Sequence, residues 1–127
     1  MKIELLSGAC GAEIEGLDLK DISKQNIKII KSLLFEHKVI FFRNQNITQK
    51  EQIELSKCFG PLEKHAYVNG LTEYPEIVRI IKEPNETNNW GEGWHSDVSY
   101  NKEPTLAVVL KSIEIPPVGG DTMFSNM

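Results

Sequence analysis

Within Gly93-Trp94-His95-Ser96-Asp97-Val98-Ser99-Tyr100, a histidine and an aspartate stand two residues apart. In an extended strand, side chains i and i+2 leave the same face, so His95 and Asp97 would aim an imidazole nitrogen and a carboxylate oxygen at one point. A mixed N/O pair suits a divalent metal of borderline hardness and makes two of the three donors of a 2-His-1-carboxylate facial triad. The same two residues could be only a hydrogen-bonded pair at a strand edge, and the tripeptide alone does not choose. Ser96 would point to the opposite face, and no nucleophile elbow surrounds it, so a serine nucleophile is set aside. Trp94 reads as a packing wedge beneath the pair.

The elements that must position this pair are read from apolar periodicity. Lys2 to Leu5 alternates polar and apolar, which predicts a short half-buried strand, and Ala12 to Leu19 resumes a strand pattern broken at Gly16. Asp21 or Ser23 can cap a helix to about His37, with Ile27, Ile30 and Leu34 on one stripe and Ile29 and Leu33 beside it. His37, in the last turn, reads as a partner of the negative helix end. Val39-Ile40-Phe41-Phe42, an unbroken apolar run, reads as a strand covered on both faces. Thr48-Gln49-Lys50-Glu51 has capping-box spacing and opens a second helix to about Phe59, which Gly60-Pro61 stops.

Further strands are expected at Glu76–Ile81, Leu106–Leu110 and Asp121–Ser125, with a turn at Pro116-Pro117-Val118-Gly119-Gly120. The polar stretch from Lys82 to Gly93 is long for a connection in a compact domain, and such loops are commonly lids or binding loops. Helices near the start and short strands after them fit an α+β protein built on a β-sandwich or jelly roll. The strands available are too few to close one, so the expectation is a jelly roll incomplete at the C-terminus, with residues 1–127 as a single N-terminal portion of a domain.

Composition narrows the function. A net charge of −4 with interspersed signs leaves no basic stripe for phosphates, against nucleic acid as a partner. Cys10 and Cys58 lie far apart with no C-x-x-C, and read as buried reduced thiols. The N-terminus reaches acidic residues too soon for a signal peptide, and no apolar run approaches transmembrane length; a cytoplasmic protein with no membrane partner is expected. The sequons at Asn46 and Asn85 then read as chance.

The motif has a family. Trp94-His95-Ser96-Asp97-Val98-Ser99-Tyr100, then Pro104 and an apolar strand, then Pro116-Pro117-Val118-Gly119-Gly120-Asp121-Thr122, resembles the TauD/TfdA family of Fe(II)- and 2-oxoglutarate-dependent dioxygenases. Gly11 to Leu19, Val39-Ile40-Phe41-Phe42-Arg43 and Phe59-Gly60-Pro61-Leu62 resemble that family's N-terminal region. The resemblance runs along essentially the whole chain and corresponds to the N-terminal half of a member.

This resemblance implies a double-stranded β-helix, with His95 and Asp97 as the first two Fe(II) ligands. It implies that the Thr122 hydroxyl binds the distal carboxylate of 2-oxoglutarate, and that His65 and Val98 line the substrate site. His65 falls where the taurine-acting enzyme has a substrate-contacting histidine; Val68 departs from the tyrosine that enzyme has. The second metal-binding histidine and the 2-oxoglutarate arginine would lie C-terminal to residue 127, so the 127-residue chain by itself would be inactive.

The reaction implied consumes O2 and 2-oxoglutarate and hydroxylates a small, anionic organic substrate, a taurine-like sulfonate or a relative of one. A homo-oligomer stays open. Two other readings stay open beside it: a zinc hydrolase using the same pocket, with a metal-bound water and no oxoacid, and a non-catalytic or merely metal-binding jelly-roll fragment.

Overall fold

The computed structural model describes residues 1–88, 90–91 and 93–127. Asn89 and Glu92, both within the expected lid loop, lie outside the described residues. The chain divides into two compact units, one of Met1–Cys58 with Leu110–Met127 and one of Phe59–Val109.

The first unit is a small α/β arrangement. Strand β1 (Lys2–Leu5) pairs antiparallel with β2 (Ala12–Glu15), placing Ile3 opposite Ile14 and Leu5 opposite Ala12. The chain then crosses over through helix α1 (Lys24–His37) to β3 (Ile40–Phe41), which runs parallel to β2. Helix α2 (Gln49–Lys57) follows. A parallel pair cannot be joined by a tight turn, and α1 is the crossover that the β2–β3 pairing requires.

Both helices begin where their caps predict. The Ser23 hydroxyl accepts from the Asn26 amide at 3.3 Å. At α2 the capping box is complete: the Glu51 amide donates to Thr48 Oγ1 at 3.2 Å, and the Thr48 amide donates to a Glu51 carboxylate oxygen at 2.6 Å. Two otherwise orphaned amides are thereby satisfied. Helix α1 ends at Lys38, whose positive φ of 68° lets its amide close back on the Leu34 carbonyl.

The core lies between α1 and the sheet. Ala12, Ile14 and Leu33 are buried together, with Leu17, Ile29, Ile40 and Phe42 packed against them. On α1 the buried stripe is Ile27, Ile30 and Leu33; Leu34, expected on it, is half-buried at its margin. Asn26 is the buried polar residue, and its amide group donates to the carbonyls of Asp18 and Asp21 at 3.1 and 2.6 Å. Gln45 fastens the same approach segment, accepting from the Leu19 amide and donating to the Leu17 carbonyl. The 110–127 segment is tied into this unit by the Lys111 ammonium on the Ile47 carbonyl, Asn126 on the Ala9 carbonyl, and Phe124 edge-on to Phe41.

Three expectations need correction. The 39–42 run contributes only two residues to the sheet, and Ile40 and Phe41 are half-buried rather than covered on both faces, because β3 is an edge strand. The runs at 76–81, 106–110 and 121–125 form no ladder among the described residues. A strand needs a ladder of backbone bonds, and isolated ones such as that from the Leu71 amide to the Ile77 carbonyl do not build it. Along 105–111 exposure still alternates: Leu106, Val108 and Leu110 are exposed, while Ala107 and Val109 are half-buried. The side-chain alternation of a strand is present there, and the sheet among the described residues is the three-stranded β1-β2-β3. Cys10 and Cys58 are both free, but half-buried rather than buried.

Among the described residues, no helix is long and apolar enough to cross a membrane.

Candidate metal and substrate site

His95 and Asp97 belong to the second unit; Asp97 opens a turn and His95 lies in the irregular segment just before it, neither on a strand. Gly93 (φ +93°) before them and Val98 (φ +51°) after them take left-handed backbone that an extended strand does not allow. The turn closes with the Asn101 amide on the Val98 carbonyl at 3.2 Å and with the Ser96 and Ser99 hydroxyls 2.6 Å apart. The expected convergence of the two side chains is nevertheless present. His95 Nε2 lies 3.2 Å from Asp97 Oδ1, with both side chains a little over half exposed, at 55% and 56%.

The other ring nitrogen of His95, Nδ1, lies 3.0 Å from the Gly93 carbonyl oxygen. A carbonyl can only accept, so Nδ1 carries a proton there. In the neutral ring this leaves the Nε2 lone pair facing a carboxylate oxygen. A divalent cation placed between these two electron-rich atoms would be bound by both. Two donors bound at about 2.1 Å and at right angles lie about 3.0 Å apart. The donor types, their separation and the carbonyl that fixes the tautomer therefore fit a divalent metal. Among the described residues, no group of three or more His, Cys, Asp or Glu side chains gathers as a complete metal cage. His95 and Asp97 are a pair of candidate donors.

His65, in the same unit, is half-buried. Its Nδ1 accepts from the amides of Tyr67 and Val68, each at 3.2 Å. The proton of the neutral ring is then on Nε2, which makes that atom a donor. Tyr67 and Trp90 meet the ring edge-on at 6.3 and 6.4 Å, and Tyr100 lies 6.2 Å from Tyr67. A half-buried N–H framed by aromatic rings can hold an anionic group attached to an apolar body. Sequence reasoning named His65 but not this surround, whose members come from three separated stretches.

Val98 is half-buried, and its positive φ is uncommon for a β-branched residue. Backbone strain of this kind collects at functional sites. Nothing in the residue type announces it, although the glycines at 91 and 93 mark the neighbourhood as one of unusual backbone. Thr122 belongs to the other unit, in the extended and exposed segment at 121–125.

The family model described as taurine catabolism dioxygenase TauD, TfdA family matches residues 2–127. The chain belongs to this family. Among TauD/TfdA-like relatives, an alkylsulfatase of Acinetobacter baylyi is 30% identical over 128 residues, which are 99% of this chain and 39% of that protein. An alpha-ketoglutarate-dependent sulfonate dioxygenase of Saccharomyces cerevisiae is 28% identical over 137 residues, 99% of this chain and 33% of that one. A crystal structure of a taurine dioxygenase from Burkholderia xenovorans superposes with a TM-score of 0.53 at 29% identity, over 58% of this chain and 27% of that one. The chain therefore spans between a third and two fifths of the length of these curated relatives.

Proposed function

We propose that the protein is an Fe(II)- and 2-oxoglutarate-dependent dioxygenase that hydroxylates a small anionic organic substrate of the sulfonate or sulfate ester class. The observation that carries the reading is the His95–Asp97 pair, 3.2 Å apart with Nδ1 pinned to the Gly93 carbonyl, in a chain that matches the family over residues 2–127. The names of the sulfonate dioxygenase and alkylsulfatase relatives support the substrate class. In the whole protein the fold is a double-stranded β-helix, in which the apolar runs at 106–110 and 121–125 become strands of the sheets. The third metal ligand and the arginine for 2-oxoglutarate are assigned to sequence C-terminal to residue 127.

His95 Nε2 and Asp97 Oδ1 would hold the iron. When bound, iron and 2-oxoglutarate supply O2 activation and the hydroxylating oxidant, with succinate and CO2 as coproducts. The remaining work falls to the chain. Asp97 brings a full negative charge to the metal side, and the Gly93 carbonyl keeps the imidazole from turning. The Thr122 hydroxyl donates to the distal carboxylate of 2-oxoglutarate. His65 donates from Nε2 to the anionic group of the substrate, with the rings of Tyr67 and Trp90 standing beside it for the apolar body.

The test is succinate formation by the whole protein with Fe(II), 2-oxoglutarate and O2 across a panel of alkyl sulfonates and alkyl sulfate esters. Substrate-dependent succinate that is lost in His95→Ala is the expected result. Turnover with Zn(II) under anaerobic conditions, or no succinate with any member, would overturn the proposal in favour of a hydrolase or a non-catalytic module.

A further inference from the structure

His95 is bracketed by two glycines. On one ring edge, Nδ1 meets the Gly93 carbonyl. On the other, Gly91 approaches so closely that a Cβ placed on it would lie 3.3 Å from Cε1 and 3.9 Å from Nε2. Favourable contact between carbons begins at about 3.5 Å, so a side chain at residue 91 would press on the ring. Gly91 also has a φ of +71°, in the left-handed region. The two demands are separable in principle, since Gly93 shares the left-handed backbone while a Cβ there would meet nothing within 4 Å. At Gly91 both apply. The preceding residue, Trp90, places its ring on His65. One step of backbone thus touches both histidines of the site, His65 through a ring and His95 through a bare Cα.

We propose that Gly91 is a positioning residue for His95, its missing side chain both seating the imidazole and keeping the Nε2 edge open to a divalent metal. The inference rests on His95 being a metal ligand. A methyl at residue 91 forces the ring to yield by a few tenths of an ångström. With Nδ1 held by the Gly93 carbonyl, the ring yields by tilting, and Nε2 swings out of line with Asp97 Oδ1.

The experiment is a Co(II) titration of the whole protein, followed by visible absorption, on wild type, Gly91→Ala, Gly91→Asn and His95→Ala, with a thermal melt of each. Asparagine accepts left-handed backbone far better than alanine does but still carries a Cβ. Both Gly91 variants are expected to bind Co(II) about tenfold more weakly, the cost typical of disturbing the support of a metal-bound histidine, and the asparagine variant melts near wild type. Wild-type Co(II) affinity in Gly91→Asn would overturn the proposal and leave backbone conformation as the only demand at this position; that arm decides even if Gly91→Ala fails to fold. Co(II) binding unaffected by His95→Ala would instead remove the ligand reading, and this inference with it.

Discussion

His95 Nε2 and Asp97 Oδ1 stand 3.2 Å apart while His95 Nδ1 is engaged by the Gly93 carbonyl, so the imidazole faces an acceptor at each nitrogen. A divalent metal bound between Nε2 and Oδ1 would satisfy both donors at once. Asp97→Asn keeps the shape of the side chain and removes its charge. We expect His95→Ala and Asp97→Asn each to weaken Co(II) binding at neutral pH by at least about 100-fold, the upper end of what disturbing a mere support costs. A titration in which Asp97→Asn matches wild type would show that the carboxylate is not a ligand.

Thr122 is expected to hold 2-oxoglutarate through its hydroxyl alone. Thr122→Val preserves the β-branched shape and deletes the donor, whereas Thr122→Ser preserves the donor and deletes the methyl. A hydrogen bond to a charged group contributes about 1.5–3 kcal/mol, so Thr122→Val raises the KM for 2-oxoglutarate by at least about tenfold. Thr122→Ser stays near wild type, and metal affinity is unchanged in both. Equal KM values for the valine and serine variants would assign Thr122 to the fold rather than to the cosubstrate.

Glu51 links helix capping to pH. Its carboxyl is held below the usual carboxylate range first by the Thr48 backbone N–H and then by the Thr48 side chain, with the Lys20 and Lys111 charges adding and burial opposing. A carboxylate whose folded value is depressed stabilises the protein above its unfolded value, and that stabilisation is lost as pH falls through the folded value. Glu51→Gln is therefore expected to melt below wild type at pH 7, with the gap closing as the pH is taken into the acid range. A gap that is constant with pH would mean that the charge of Glu51 plays no part in the cap.

Much of the first unit is legible in the sequence because its determinants are local. Ser23 and the Thr48–Glu51 box are read off four-residue windows, and the structure uses both. Lys2–Leu5 and Ala12–Glu15 are legible as alternation and pair across a short connection. The runs at 76–81, 106–110 and 121–125 carry strand composition too, but pairing is non-local and composition does not supply a neighbour. At the site, residue types revealed which side chains would converge but not how. His95 and Asp97 meet where an irregular segment enters a turn, between two left-handed residues, and strand spacing brought the right pair together through the wrong backbone. The rings around His65 come from positions 67, 90 and 100, which no single window shows together.

Val98 offers a test of whether the site is strained. A β-branched side chain at φ +51° is uncommon, and a sparsely populated backbone conformation costs of order 1–3 kcal/mol. Asparagine occupies left-handed backbone several-fold more readily than most residues, so Val98→Asn relieves most of that cost and forfeits only a half-buried pair of methyl groups. Urea denaturation is expected to show Val98→Asn more stable than wild type by about 1 kcal/mol, and Val98→Ile, equally branched, no more stable than wild type. If Val98 also lines the substrate site, Val98→Asn raises the KM for an apolar-bodied anionic substrate while Co(II) affinity holds. Stability gained together with substrate affinity lost is the signature of strain kept for function. A Val98→Asn variant less stable than Val98→Ile would show that the turn accommodates valine without strain, and the backbone at residue 98 would then have no part in shaping the site.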